Sequence, residues 1–309
     1  MSSLTKLVSL LRNRNLILSL ALLSGILLGQ GAQWTQRLVI PLLAFVMTLS
    51  TMGVGGELFR SPRAWLHPLL TGVAMNYVVL GGLILLLGGL LPLEEHLRTG
   101  FVVLASVPPA VGVIPFTGFL EGDVEFSLMA TLGCYLGAFV ATPLVLYASL
   151  GFGGGLQRSL LTTMVEVIFL PLILSRVLVR TGVASRMEAF RGPLTNWSFF
   201  LIVYTVVGLN REVFLSQPLS LAPAAAITVT TTLLLGYAVE RAGGLLRIEP
   251  GKVTSLVLLG TSKNAGFAAG LALTLLGRQA AIPSAIQTVF MLSQVILLDL
   301  RKRRKSPRP

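Results

Sequence analysis

A chain of 309 residues that is 54% hydrophobic and only 12% charged, with a mean hydropathy of +0.83, is not an ordinary soluble domain, in which about a quarter of residues carry charge. Its formal net charge of +12 raises a nucleic-acid partner, but the charges must first be set against membrane topology. The single cysteine, Cys134, lies in an apolar stretch and excludes a disulfide framework or a thiolate metal site. No cofactor or metal is expected.

Ten apolar segments read as membrane spans. In chain order they are Leu16–Leu28, Leu38–Val54, Leu69–Leu91, Gly100–Leu120, Val124–Leu150, Leu160–Val179, Leu194–Leu209, Leu219–Val239, Val253–Leu276 and Ile282–Leu300. The first is short, and its end (Leu-Leu-Gly-Gln-Gly-Ala-Gln) lacks a small-x-small cleavage site, so it is expected to be retained. His67 and His96 lie near segment ends and read as interfacial residues.

The charges test this count. Ten spans put both termini on one side. With the termini inside, 18 of the 24 Lys and Arg fall in inside segments, five fall outside, and Lys263 falls within the membrane. That bias predicts cytoplasmic termini and a multi-pass protein of the cell membrane, and it accounts for the +12. The basic tail, residues 301–309, then reads as an anchor against anionic lipid rather than as a nucleic-acid arm.

The Gly-rich loop Gly151–Gly155 leaves five spans on each side. Five is odd, so the second repeat (about 156–300) is expected to be inverted relative to the first (about 1–150), within a single transporter-like membrane domain. Corresponding spans then match. The fourth contains Pro108, Pro109, Gly112 and Pro115; the ninth contains Gly260, Thr261, Ser262, Lys263 and Asn264. Three prolines within eight residues cannot sit in an uninterrupted helix. Paired interruptions in matching spans point to a transport site. Lys263 is the sharpest residue. An ammonium at the bilayer centre costs at least roughly 2.5 kcal/mol. It stands eleven residues from Lys252 and fifteen from Arg278, more than roughly 15 Å either way and too far for easy snorkelling.

These residues resemble the bile acid:sodium symporter family of the bile/arsenite/riboflavin transporter superfamily. The resemblance covers nearly the whole chain. Its anchors are the Pro-rich interruption, Gly122-Asp-Val124, the stretch from Asn264 to Leu273, and Ala281-Ile-Pro283. It implies an all-α integral membrane protein of ten transmembrane helices in two inverted five-helix repeats, with broken helices 4 and 9 crossing each other. It also implies interleaved panel and core units, and alternating access. The departures concern sodium. Where sodium-coupled members carry a Glu and a Gln in the ninth span, this chain has Leu259 and Lys263. The third-span Gln becomes Asn76, the fourth-span Ser-Asn pair becomes Val113 and Ile114, and a tenth-span polar pair becomes Met291 and Leu292. Thr131 matches a family threonine. Apolar side chains offer a hard cation no oxygen, and a nearby ammonium repels it. Lys263, a compact point charge with three donors, is therefore expected to replace sodium. Either it stays charged in a uniporter or exchanger, or it exchanges its proton with a partner such as Glu166 in a proton-coupled carrier.

Asn264 is expected to face substrate, with helix packing as the plainer alternative. Thr261 and Ser262 either back-bond to their helix or line the cavity. Gln287, Ser293 and Gln294 either face the cavity or bond across helices. Glu121 and Asp123 read as a surface turn. No H-E-x-x-H, G-x-S-x-G or phosphate loop is present, so no enzyme is expected. The expected function is secondary transport of a small organic anion or amphipathic metabolite, sodium-independent; sodium or proton coupling is the alternative, and a channel the more distant one. Substrate, direction and oligomeric state are not encoded legibly.

Overall fold

The computed structural model describes residues 14–52, 62–110, 112–151, 162, 165–166, 170–209, 211–216 and 221–305, and among these it is all-helical. The chain divides into two units, Met1–Gly53 with Thr162–Pro218, and Val54–Leu161 with Leu219–Pro309.

The first unit is built on α1 (Arg14–Leu28) and α2 (Val39–Thr51). Its remaining helices come from later in the chain. A seam of small residues fixes how close they come. A Cβ on Gly25 would lie 2.9 Å from Val207 Cβ, and one on Gly29 would lie 2.6 Å from Gly208 Cα. Such contacts let apolar helices associate where lipid removes any hydrophobic drive between them. Thr35 Oγ1 and Thr205 Oγ1 meet at 2.6 Å, and Tyr204 Oη donates to Leu28 O at 2.9 Å.

The second unit opens with α3 (Pro62–Val73), which runs through a π-helical stretch, Ala74–Gly81, into α4 (Gly82–Leu90). The fourth span is broken into α5 (Glu95–Ser106) and α6 (Val113–Phe119), followed by α7 (Val124–Leu150). Asp123 caps α7, its Oδ1 accepting from Phe126 N at 2.9 Å, and Gly151 ends it in the left-handed conformation at φ 66°. The chain then supplies the first unit with α8 (Leu170–Arg180), α9 (Val183–Leu209) and α10 (Arg211–Ser216). It returns to the second unit with α11 (Ala222–Val229), a second π-helical stretch at Thr230–Leu234, α12 (Leu235–Leu245), α13 (Pro250–Thr261), α14 (Ala265–Leu275) and α15 (Ile282–Lys305).

Among the described residues, four helices are long and apolar enough to cross a membrane: Trp65–Leu90, Val183–Leu209, Ala222–Leu245 and Gln279–Lys302. A fifth, α7, qualifies as a pair of segments bent by 50°; Pro143 stands in it, where a proline removes a hydrogen bond and clashes with the preceding turn. The fourth and ninth predicted spans are each two short helices, which is why neither counts as one long span. Much of the sixth, and the Gly-rich loop after Gly151, lie outside the described residues. Several boundaries differ from the sequence expectation, two of them instructively. The seventh span begins at Val183 rather than Leu194, because the helix continues beyond its apolar part. The tenth runs on to Lys305, so the start of the basic tail is helical.

The polarity of the second unit is inside-out. Val78, Leu86, Leu90, Val140, Leu144 and Tyr147 are exposed, while Asn76, Thr117, Ser127, Thr131 and Thr142 are buried. An exposed apolar surface of this extent needs a covering, and lipid supplies it. Inside, hydroxyls bond back to their own or neighbouring helices, as Thr142 Oγ1 does to Ser106 O at 2.8 Å.

Candidate transport site at the paired helix breaks

The fourth span stops at Ser106 because Pro108 and Pro109 cannot continue it. Val107 is extended, and α6 restarts at Val113 with Gly112 as its N-cap residue. The ninth span has no proline. It stops at Thr261, Ser262 is extended, and Asn264 starts a new helix by accepting from Phe267 N at 3.0 Å through Oδ1. What holds the second break open is the first. The two extended segments pair antiparallel at Pro109 and Lys263: Asn264 N donates to Pro108 O at 2.9 Å, and Ala110 N donates to Ser262 O at 3.3 Å. Each break thus satisfies backbone groups that the other has freed.

Lys263 sits at this pairing and is fully buried. Its ammonium donates to Asn76 Oδ1 at 2.9 Å, Ala105 O at 2.8 Å and Val107 O at 2.9 Å. Three protons meet three acceptors, all neutral. Ala105 and Val107 lie at the C-terminal end of α5, where unsatisfied carbonyls form the negative pole of the helix dipole. The Tyr77 ring lies beneath the charge, its centroid 4.7 Å from Nζ. Gly81 makes room: a Cβ there would lie 3.1 Å from Ala105 O and 3.6 Å from Nζ. Asn76 is itself oriented, its Nδ2 donating to Leu259 O at 3.2 Å and to Ser262 O at 3.5 Å. It stands in the first π-helical stretch, a form of helix that marks functional positions.

Of the residues singled out by sequence, Lys263, Asn264, Asn76, Pro108 and Pro109 come together here. Asn264 also donates through Nδ2 to Tyr135 Oη at 2.9 Å. Thr131, one turn before Tyr135 on α7, is buried with its hydroxyl unpartnered. Thr261 back-bonds to Val257 O at 2.7 Å; Ser262 Oγ is buried without a partner. Gln287 Nε2 reaches Thr261 O at 3.2 Å, so α15 also supports the break, and Gln287 Oε1 remains unpartnered. Gln294 is buried on α15 against Gly236 of α12. Pro115 lies within α6, and Gly260 admits Met75 against α13. Leu259, Val113 and Ile114, where the resemblance puts sodium ligands, are buried aliphatic side chains. Glu166 is exposed, belongs to the first unit, and is not among the partners of the Lys263 ammonium.

Sequence reasoning missed Tyr77 and Tyr135. Tyrosines prefer the membrane interface, and these two sit in the middle of apolar segments, which was a readable signal. The carbonyls of Ala105 and Val107 left no signal, because backbone ligands carry no side-chain signature. The anchor Gly122-Asp123 proves structural. Asp123 N donates to Gly251 O at 2.9 Å, Ser255 Oγ donates to Asp123 O at 2.8 Å, and Glu121 turns the chain at φ 51°. No group of three or more His, Cys, Asp or Glu among the described residues has the arrangement of a metal site.

Such a site, two broken helices meeting around a buried charge inside an apolar shell, belongs to the architecture of secondary transporters. The profile of the SBF-like CPA transporter family matches residues 54–299, in keeping with the resemblance to the bile acid:sodium symporters. The chain belongs to that family, and is a multi-pass membrane protein of transporter type. No individual curated protein matches it significantly.

Proposed function

We propose that this chain is a sodium-independent secondary transporter of a small organic anion or amphipathic metabolite, with Lys263 acting as a built-in cation where sodium-coupled relatives bind a free one. The observation that carries the proposal is the oxygen cage around Nζ: two carbonyls from the C-terminal end of α5 and the Asn76 amide oxygen, all at 2.8–2.9 Å. A hard cation asks for such a ligand set, and the ammonium already fills it. Because its three protons are committed to protein acceptors, Lys263 acts on a substrate through its field rather than as a direct ligand. Asn264, Thr131, Ser262 and Gln287 are then the groups nearest the breaks that offer hydrogen bonds to a substrate.

The same proposal takes ten spans in two inverted repeats, about 1–150 and 156–300, with alternating access by motion between the two units. Its supports are the matching breaks in spans four and nine and the matching π-helical stretches in spans three and eight. Uptake into proteoliposomes with sodium replaced by choline tests it. Undiminished transport is expected, and strict dependence on sodium would sink the proposal. Lys263→Gln should abolish transport or make it respond to sodium; wild-type behaviour in that variant would remove Lys263 from the mechanism.

A further inference from the structure

At the end of the second unit away from the crossover, two adjoining grooves open between α12, α13 and α15. One, of about 290 Å³, is walled by the aliphatic side chains of Ile248, Val253, Val257 and Leu298. The other, of about 560 Å³, is lined by Tyr237, Arg241, Leu245 and Arg301. They share Glu240, Gly244 and Arg301, so an apolar slot is continuous with a basic mouth. Their sizes lie at and within the roughly 300–1,000 Å³ range of small-molecule sites.

The charges at the mouth are unevenly committed. Arg241 stacks on Tyr237, 5.2 Å from the ring centroid, and spends one of its five N–H donors on Tyr237 Oη at 2.8 Å. Arg301 faces Glu240 at 3.7 Å, beyond hydrogen-bond reach, and its side chain is 53% exposed. Such a pair is worth little, so a better acceptor can displace it. Lys302, which lines the apolar groove, donates to Leu120 O at the end of α6. Arg241, Arg301 and Lys302 face Glu240, with Glu121 also near Lys302, so the cations outnumber the carboxylates three to two, and Leu245, which lines the basic mouth, is exposed beside the exposed Leu246 and Leu300 that adjoin the lining residues in sequence. A phosphodiester matches a guanidinium bidentately, and the aliphatic slot beside it takes a chain rather than a second polar group.

We propose that these grooves bind one anionic phospholipid, its phosphate between Arg241 and Arg301 and an acyl chain along Val253, Val257 and Leu298. The apolar rim commits the occupant to a membrane lipid rather than a soluble phosphate ester. The proposal stands independently of substrate and coupling. Through Lys302 and Leu120 it joins the lipid site to the end of the broken fourth span, so occupancy would steady α6.

The test is native mass spectrometry of the detergent-purified full chain with added phosphatidylglycerol or phosphatidylcholine. Preferential retention of phosphatidylglycerol is expected, falling about fivefold for each cation removed in Arg241→Gln and Arg301→Gln. Both side chains are exposed, so the variants should fold; a photoreactive phosphatidylglycerol labelling peptides of α12 and α15 provides a second readout on the wild type. Equal retention of the two lipids, or labelling elsewhere, overturns the proposal. So does an equal loss in Arg303→Gln with Arg304→Gln, which would make the effect bulk attraction to the tail. Competition by glycerol phosphate at equal concentration would reassign the site to a soluble phosphate and overturn the lipid.

Discussion

Lys263 is unusual in being fully buried with its Nζ hydrogen-bonded only to neutral oxygens. An uncompensated buried ion costs several kcal/mol, and here three dipoles and an aromatic face reduce that cost. Removing the ammonium therefore exposes the cage. In Lys263→Ala, Asn76 Oδ1 and the carbonyls of Ala105 and Val107 lose their donor, at roughly 1–3 kcal/mol for each group left unsatisfied. The expected outcome is a marked fall in thermal stability in detergent, partly recovered by sodium chloride but not by choline chloride. The wild type should show no such difference, because its cage is full. A variant blind to sodium would mean that the cage is not cation-shaped. The sequence disclosed the charge and its two asparagine neighbours, since each is costly at membrane depth. It did not disclose the α5 carbonyls, since every residue has a carbonyl, and it marked Tyr77 only as a tyrosine away from the interface, not as a partner of the lysine.

At the scale of elements, the two breaks have different origins. Pro108 and Pro109 force the first by local chemistry. The second has only Asn264 as a local cap, and depends on pairing with the first. Spans four and nine are thus one cooperative device, which explains why matching interruptions were visible but their hydrogen-bonded register was not. In the first unit the governing feature is close approach. Gly29→Val should force α1 away from α9, since a Cβ there would sit 2.6 Å from Gly208 Cα. A loss of roughly 1–3 kcal/mol is expected for such overpacking, read as a lower unfolding temperature. Gly82, whose Cβ would meet nothing within 4 Å, should accept alanine without loss, and equal effects at the two sites would refute the seam.

On the scale of the whole molecule, the 18-to-5 distribution of basic residues predicts cytoplasmic termini. A green fluorescent protein fused after Pro309 should fluoresce, and a periplasmically active reporter at the same place should be silent; the reverse result would invert the topology. The units draw on the chain in interleaved pieces, Met1–Gly53 with Thr162–Pro218 and Val54–Leu161 with Leu219–Pro309. Hydropathy has no memory of which span packs with which, so that grouping was beyond the reach of periodicity. The sequence by itself determined the membrane class, the approximate spans, the helix breaks and the costly lysine, because lipid imposes length, charge and hydrogen-bond rules on each segment separately. Only the tertiary structure decided what the lysine bonds to, because its partners are backbone oxygens and an amide drawn together from spans more than 150 residues away, which no local rule connects.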